Sequence, residues 1–170
     1  MTPLQRALAE APERAPAPPA VPKQEFFSFR LGELAVGVPS IDVREVVRVG
    51  WVTPLPRTPA WILGVFGLRG EVLPVLDLLR FLGKGESRLT DRTRVFVGVA
   101  GSHAAAVVTD GVLGLREVKE ADIVAAPVGG DAVNEHVRGV VPARGVHQEA
   151  LVLLHFSKLL QVARQRAVTR

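Results

Sequence analysis

Gly64-Val65-Phe66-Gly67-Leu68-Arg69-Gly70-Glu71-Val72-Leu73-Pro74-Val75-Leu76-Asp77-Leu78 is the stretch whose reading decides the fold. One arginine and one glutamate sit between glycines in an otherwise apolar run. A charge in such a run needs a partner if it is buried, and Gly67 and Gly70 permit a bulge or a close backbone approach. Ile62 to Phe66 and Glu71 to Leu76 read as two short strands. Asp77 then caps a short helix over Leu78 to Leu82, which Gly83 stops. The pattern points to a contact site on a β scaffold.

Upstream, Phe27, Phe29 and Leu31 alternate with polar residues, Gly32-Glu33 intervenes, and Leu34, Val36 and Val38 alternate again. A glycine first in a two-residue loop is the signature of a type II′ hairpin. Val43 to Val49 reads as a further strand, and Trp51 to Arg57 as a proline-punctuated edge. Downstream the plan repeats: Val95, Val97 and Val99 alternate, Gly101-Ser102 makes a second glycine-first loop, and His103 to Thr109 returns. Strands over Val112 to Val118, Val137 to Val141 and Leu151 to Leu154 follow, with a looser Ala/Gly/Asp-rich region after the first. A helix over 155–164 comes last.

Gly32 and Gly101 are 69 residues apart, the Gly-Val pairs at 64 and 139 are 75 apart, and the strand-to-helix junctions Asp77 and His155 are 78 apart. A drift in one direction fits a duplicated unit of about five short strands with loop insertions in the second copy. Two such units sharing a core make an all-β protein with little helix. No crossover helices of the length a parallel α/β sheet needs fit between the strands.

The chain has 170 residues, 48% of them hydrophobic, and no cysteine. That suffices for a sizeable core and excludes disulfides and cysteine nucleophiles, with cytoplasm as the default compartment. Trp61 to Leu82 is broken by Arg69, Glu71, Pro74, Asp77 and Arg80 and does not cross a bilayer as a helix. Residues 1–23 read as an Ala/Pro-rich disordered leader. The folded domain runs over 24–165, with a first barrel at 25–88 and a second at 89–160, strand exchange at their seam being possible. Residues 161–170 are a helix end and tail. A net charge of +4 is spread thinly, and aromatics are 5% with no tyrosine, so a nucleic-acid binder is a remote reading.

No catalytic set survives inspection. His103, His136, His147 and His155 fall on separate elements and read as surface or half-buried residues rather than metal ligands. No nucleophile elbow, Walker loop or dinucleotide fingerprint occurs. Asp77 reads as a cap and Asp110 as a turn residue. No cofactor and no metal is expected. Val36, Val38, Ile41, Val43 and Val46 must face either the core or a partner, and a seam between barrels lined with small aliphatics is a ready groove for a partner's helix.

Four local patterns resemble the CheW-like family of bacterial chemotaxis coupling proteins: Phe27 to Gly32, Val43-Arg44-Glu45-Val46, the block from Thr58 through Leu68-Arg69-Gly70 to Leu78, and Val107 to Val112. The resemblance runs from about Glu25 to Leu160. It implies two five-stranded SH3-like β-barrels about a common core, and a non-catalytic scaffold joining chemoreceptor cytoplasmic tips to the regulatory domain of a CheA-type histidine kinase. It further implies recruitment to receptor arrays. A related expectation is an adaptor for a non-chemotactic kinase pathway. Partner-binding residues implied or inferred are Glu45, Arg69, Val36, Val38, Val43, Gly67 and Gly70, with Glu45 and Arg69 paired across the first barrel. Gly67 departs from the family's asparagine, and His155 makes a weaker helix cap than the family's usual acidic or amide residue.

Overall fold

The computed structural model describes residues 2, 3, 5, 16–126 and 133–169. Most of the expected leader, with Leu4 and Leu8, and residues 127–132 of the Ala/Gly/Asp-rich region lie outside the described residues. Residues 16–22 are exposed and without helix or strand. The described strands are β1 (Lys23–Leu31), β2 (Leu34–Pro39), β3 (Val43–Arg48), β4 (Ile62–Leu68), β5 (Glu71–Leu76), β6 (Arg94–Ala100), β7 (His103–Thr109), β8 (Gly111–Lys119), β9 (Val137–Val141) and β10 (Leu151–Leu154); the helices are α1 (Leu78–Phe81) and α2 (Phe156–Val168).

Two five-stranded sheets form, with orders β8-β1-β2-β10-β9 and β3-β6-β7-β5-β4. The division expected at residues 88/89 is therefore not the division of the sheets. The hairpin β1-β2 of the first half pairs with β8 and β10 of the second, and β6-β7 of the second pairs with β3 and β5 of the first. Each half lends its hairpin to the other, and parallel pairing of β2 with β10 and of β5 with β7 completes the exchange.

Closure follows the same rule in both sheets. Thr53, after β3, exchanges hydrogen bonds of 2.8 and 2.9 Å with Val65 on β4; Val124, after β8, does so with Val140 on β9. The Gly-Val pairs serve these junctions. A Cβ on Gly64 would stand 2.3 Å from the Thr53 carbonyl oxygen, and one on Gly139 would stand 2.7 Å from that of Val124.

Strand period dictates the core. Val95, Val97, Val75 and Ala106 point inside one barrel with Phe66 and Leu73, and Phe26, Ala35, Leu151 and Leu153 fill the other. The alternate residues Phe27, Phe29, Val36, Val38, Phe96 and Val107 face a third cluster shared by both barrels. Both faces of the exchanged hairpins are buried, which is why they read as nearly unbroken apolar runs. Burial of each large side chain stabilises by about 1.5–3 kcal/mol.

Helix α2 closes the shared cluster with Phe156, Leu159, Leu160 and Ala163, spaced along one face. Its Phe156 ring rests on Gly98, where a Cβ would come within 2.3 Å. The helix outruns the expected 155–164 and takes in most of the expected tail, with the Arg166 guanidinium 5.2 Å over the Phe81 ring. His155 provides no side-chain cap hydrogen bond.

Asp77 does cap α1. Fully buried, it accepts from the Arg80 N–H at 3.3 Å, the Ser87 N–H at 2.8 Å and the Ser87 hydroxyl at 3.0 Å. Asp110 is more than a turn residue: its carboxylate accepts the Gly32 N–H at 2.6 Å, tying the β1-β2 hairpin to the start of β8.

Candidate partner-binding site

The β4-β5 hairpin carries the site. Leu68 pairs with Glu71, so Arg69 and Gly70 form a two-residue loop, and both have positive φ, 49° and 82°. Positive φ at both central positions is the type I′ geometry that matches strand twist. Gly70 adopts it freely, whereas Arg69 adopts it against its own Cβ.

Despite its apolar setting, Arg69 is not buried. It stands at the hairpin tip with its side chain 73% exposed, and its guanidinium lies 2.7 Å from the Glu45 carboxylate. Beside it the Arg44 guanidinium lies 2.8 Å from Glu71. The two ion pairs cross between β3, at one end of the sheet order, and the β4-β5 hairpin at the other. Arg44, Glu45, Leu68, Arg69 and Glu71 line a depression of about 240 Å³.

Gly67 and Gly70 both border open space. Gly67 faces Val72 across the hairpin, and with no side chain opposite it Val72 stays 69% exposed. An apolar patch thus adjoins the charged clasp. Val43 begins the strand that bears Glu45 and packs against the shared core while partly exposed. Val36 and Val38 do not join the site: at 2% and 0% exposure they belong to the shared core, out of a partner's reach.

A second copy of the motif, with different ion pairs, is also present in the sequence. Leu115-Arg116-Glu117-Val118 on β8 repeats Val43-Arg44-Glu45-Val46 at a spacing of 72, and Arg144-Gly145 repeats Arg69-Gly70 at 75. Gly145 has φ 64°, the Arg144 guanidinium pairs with Asp122, and Arg116 donates to the Glu149 carbonyl at 3.1 Å. The spacings lie within the drift of the duplication, so the signal was present in the chain.

The expectation of surface or half-buried histidines fails at His136. It is 1% exposed, against Phe81 at 5.5 Å between ring centroids, and its Nδ1 has no hydrogen-bond partner among the described residues. Burial lowers its pKa from the ordinary histidine value, and the charges of Arg166 and Lys158 act in the same direction while Glu135 opposes them.

Comparison with known proteins adds to this geometry. The family model described as CheW-like domain matches residues 25–164. The chain is 65% identical over 160 residues to protein FrzA of Myxococcus xanthus, covering 94% of this chain and 99% of that protein. It is 34% identical over 125 residues to the chemotaxis protein CheW of Rhizobium meliloti, covering 72% and 79%. The crystal structure of the scaffolding protein TtCheW from Thermoanaerobacter tengcongensis superposes with a TM-score of 0.70 at 24% identity, covering 86% of this chain and 90% of that one.

Proposed function

From the premise that this chain belongs to the CheW-like domain family, we propose that it is a non-catalytic adaptor that joins receptor cytoplasmic tips to the regulatory domain of a CheA-type histidine kinase. The observation that carries the reading is the position of Arg69. An exposed ion pair is worth at most about 1 kcal/mol, and a left-handed backbone at a non-glycine residue costs about 1–2 kcal/mol. Arginine at this tip is therefore not there for stability, and a partner's surface is what its guanidinium serves. Glu45 orients it, and Val72, bared by Gly67, supplies apolar contact. The folded domain, from β1 through the end of α2 at Val168, acts as one binding unit on the cytoplasmic side. No helix among the described residues is long and apolar enough to cross a membrane.

A second reading concerns which pathway is served. The chain is far more similar to protein FrzA, at 65%, than to the Rhizobium meliloti protein named chemotaxis CheW, at 34%. This supports an adaptor dedicated to one kinase system other than general chemotaxis. Binding of the kinase regulatory domain and of a receptor tip fragment to wild type and to Arg69 and Glu45 variants tests the first reading. Exchange of the chain with a conventional coupling protein in cells tests the second.

A further inference from the structure

The fold brings Arg48 beside a group of arginines that lie close together in the sequence. Arg88, Arg92 and Arg94 line one cleft of about 220 Å³ with Thr90, Thr93, Thr109 and Asp110. Arg48, at the end of β3, is the direct cross-strand partner of Arg94. Like charges opposed in this way destabilise a sheet unless something neutralises them. Among the described residues, no ion pair does so. Arg48, Arg88 and Arg92 form no ion pair among the described residues, and the single charge of Asp110, which lines the cleft and accepts the Gly32 N–H, offsets only part of the positive charge of Arg88, Arg92 and Arg94. Of the two acids of the same connector, Glu86 pairs with Arg80 and Asp91 does not line the cleft.

The connector is a built turn. The Thr90 N–H donates to the Thr93 hydroxyl at 2.8 Å, the Thr93 N–H to the Thr90 carbonyl at 3.1 Å, and the Val49 N–H to the Thr93 carbonyl at 3.2 Å. Arg94 donates to the Arg92 carbonyl at 3.0 Å, and the Thr109 hydroxyl donates to the Arg94 carbonyl at 3.1 Å. The guanidiniums thus project from a held backbone, as pre-organised recognition of carboxylates requires.

We propose that Arg48, Arg88, Arg92 and Arg94 form a docking strip for a glutamate- or aspartate-rich segment of a partner protein. The strip is distinct from the Arg69 clasp, lying about 10 Å further along β3. Its cations spread over a connector and two strands, more than one small oxyanion can span. Leu89 and Val46, each 39% exposed, add apolar surface on the connector and on β3, which suits an amphipathic acidic helix.

The test uses the full chain with three probes: an amphipathic helical peptide of glutamate and leucine, its glutamine counterpart, and inorganic phosphate. Arginine side-chain NMR signals and titration calorimetry are the readouts. The glutamate peptide is expected to shift the signals of Arg88, Arg92 and Arg94 and to bind about tenfold more tightly than the glutamine peptide, with affinity falling as salt rises. Arg88→Glu/Arg92→Glu abolishes that preference at unchanged melting temperature, and Arg88→Lys/Arg92→Lys keeps part of it. Equal binding of the two peptides, or peptide shifts confined to other residues, overturns the proposal. Saturation by phosphate alone, without peptide binding, also overturns it by assigning the cleft to a free oxyanion. Because Arg69 and Glu45 stay intact throughout, failure here is separate from failure of the adaptor reading.

Discussion

The Arg69 guanidinium sits 2.7 Å from the Glu45 carboxylate while 73% of the Arg69 side chain remains in solvent, against 20% for Glu45. A tight contact that is also open to solvent adds little to stability, and the backbone at φ 49° subtracts from it. Arg69→Asn creates the Asn-Gly pair that type I′ loops favour. It is expected to unfold in urea at or slightly above the wild-type midpoint, as is Arg69→Gly. Arg69→Val, β-branched at positive φ, unfolds earlier. A large loss of stability in Arg69→Asn would show that the ion pair holds the barrel shut.

Asp77 presents the opposite case. Its buried carboxylate accepts three hydrogen bonds from Arg80 and Ser87, and Arg80 Nε lies 3.4 Å away without hydrogen-bond alignment. Asp77→Ala leaves these donors unsatisfied and loosens α1 together with the connector beyond it. The expected cost in denaturant unfolding is about 2–4 kcal/mol.

Asp110 ties the exchanged β1-β2 hairpin to the turn before β8 through one charge-assisted bond. Asp110→Ala should cost about 1–2 kcal/mol and raise amide exchange around Gly32. If exchange there does not change, the bond does not hold the hairpin.

The buried imidazole of His136 makes stability depend on pH. Its folded pKa is lowered from 6.5, so the unfolded chain takes up a proton where the folded chain resists it. The contribution is complete above the ordinary histidine value and is lost as pH falls through it toward the folded pKa. His155, also lowered by burial and by Arg138 and Lys158, acts in the same direction. Urea midpoints should fall from about pH 7.5 to about pH 5.5, and His136→Leu should flatten part of that slope.

Much of the fold was legible because strand alternation and glycine-first loops act locally. Gly32 and Gly101 do open two-residue loops, with φ 57° and 60°, and β9 and β10 begin and end where their valine and leucine runs do. An exchange at the seam was left open by the sequence, but which hairpins exchange was not legible, since a strand apolar on both faces says nothing about which half supplies its neighbours. The same ambiguity misplaced Val36 and Val38, whose β-branched side chains suit a core or a contact surface equally. Apolar neighbours left open whether Arg69 is buried, and a two-residue turn lifts it out of the sheet. The Glu45 pairing was legible through the family resemblance. The repeat of the motif at Arg116-Glu117 and Arg144-Gly145, where Glu117 pairs with Lys23 and Arg144 with Asp122, went unread although the spacing was available.

The central claim is that Arg69 and Glu45 serve a partner rather than the fold. Isothermal titration of the cognate kinase's regulatory domain, with and without a receptor tip fragment, into wild type, Arg69→Asn and Glu45→Gln tests it most directly. The account predicts at least about a tenfold loss of affinity in both variants, or about 1.4 kcal/mol, at unchanged folding stability. Wild-type affinity for both partners in both variants would contradict it.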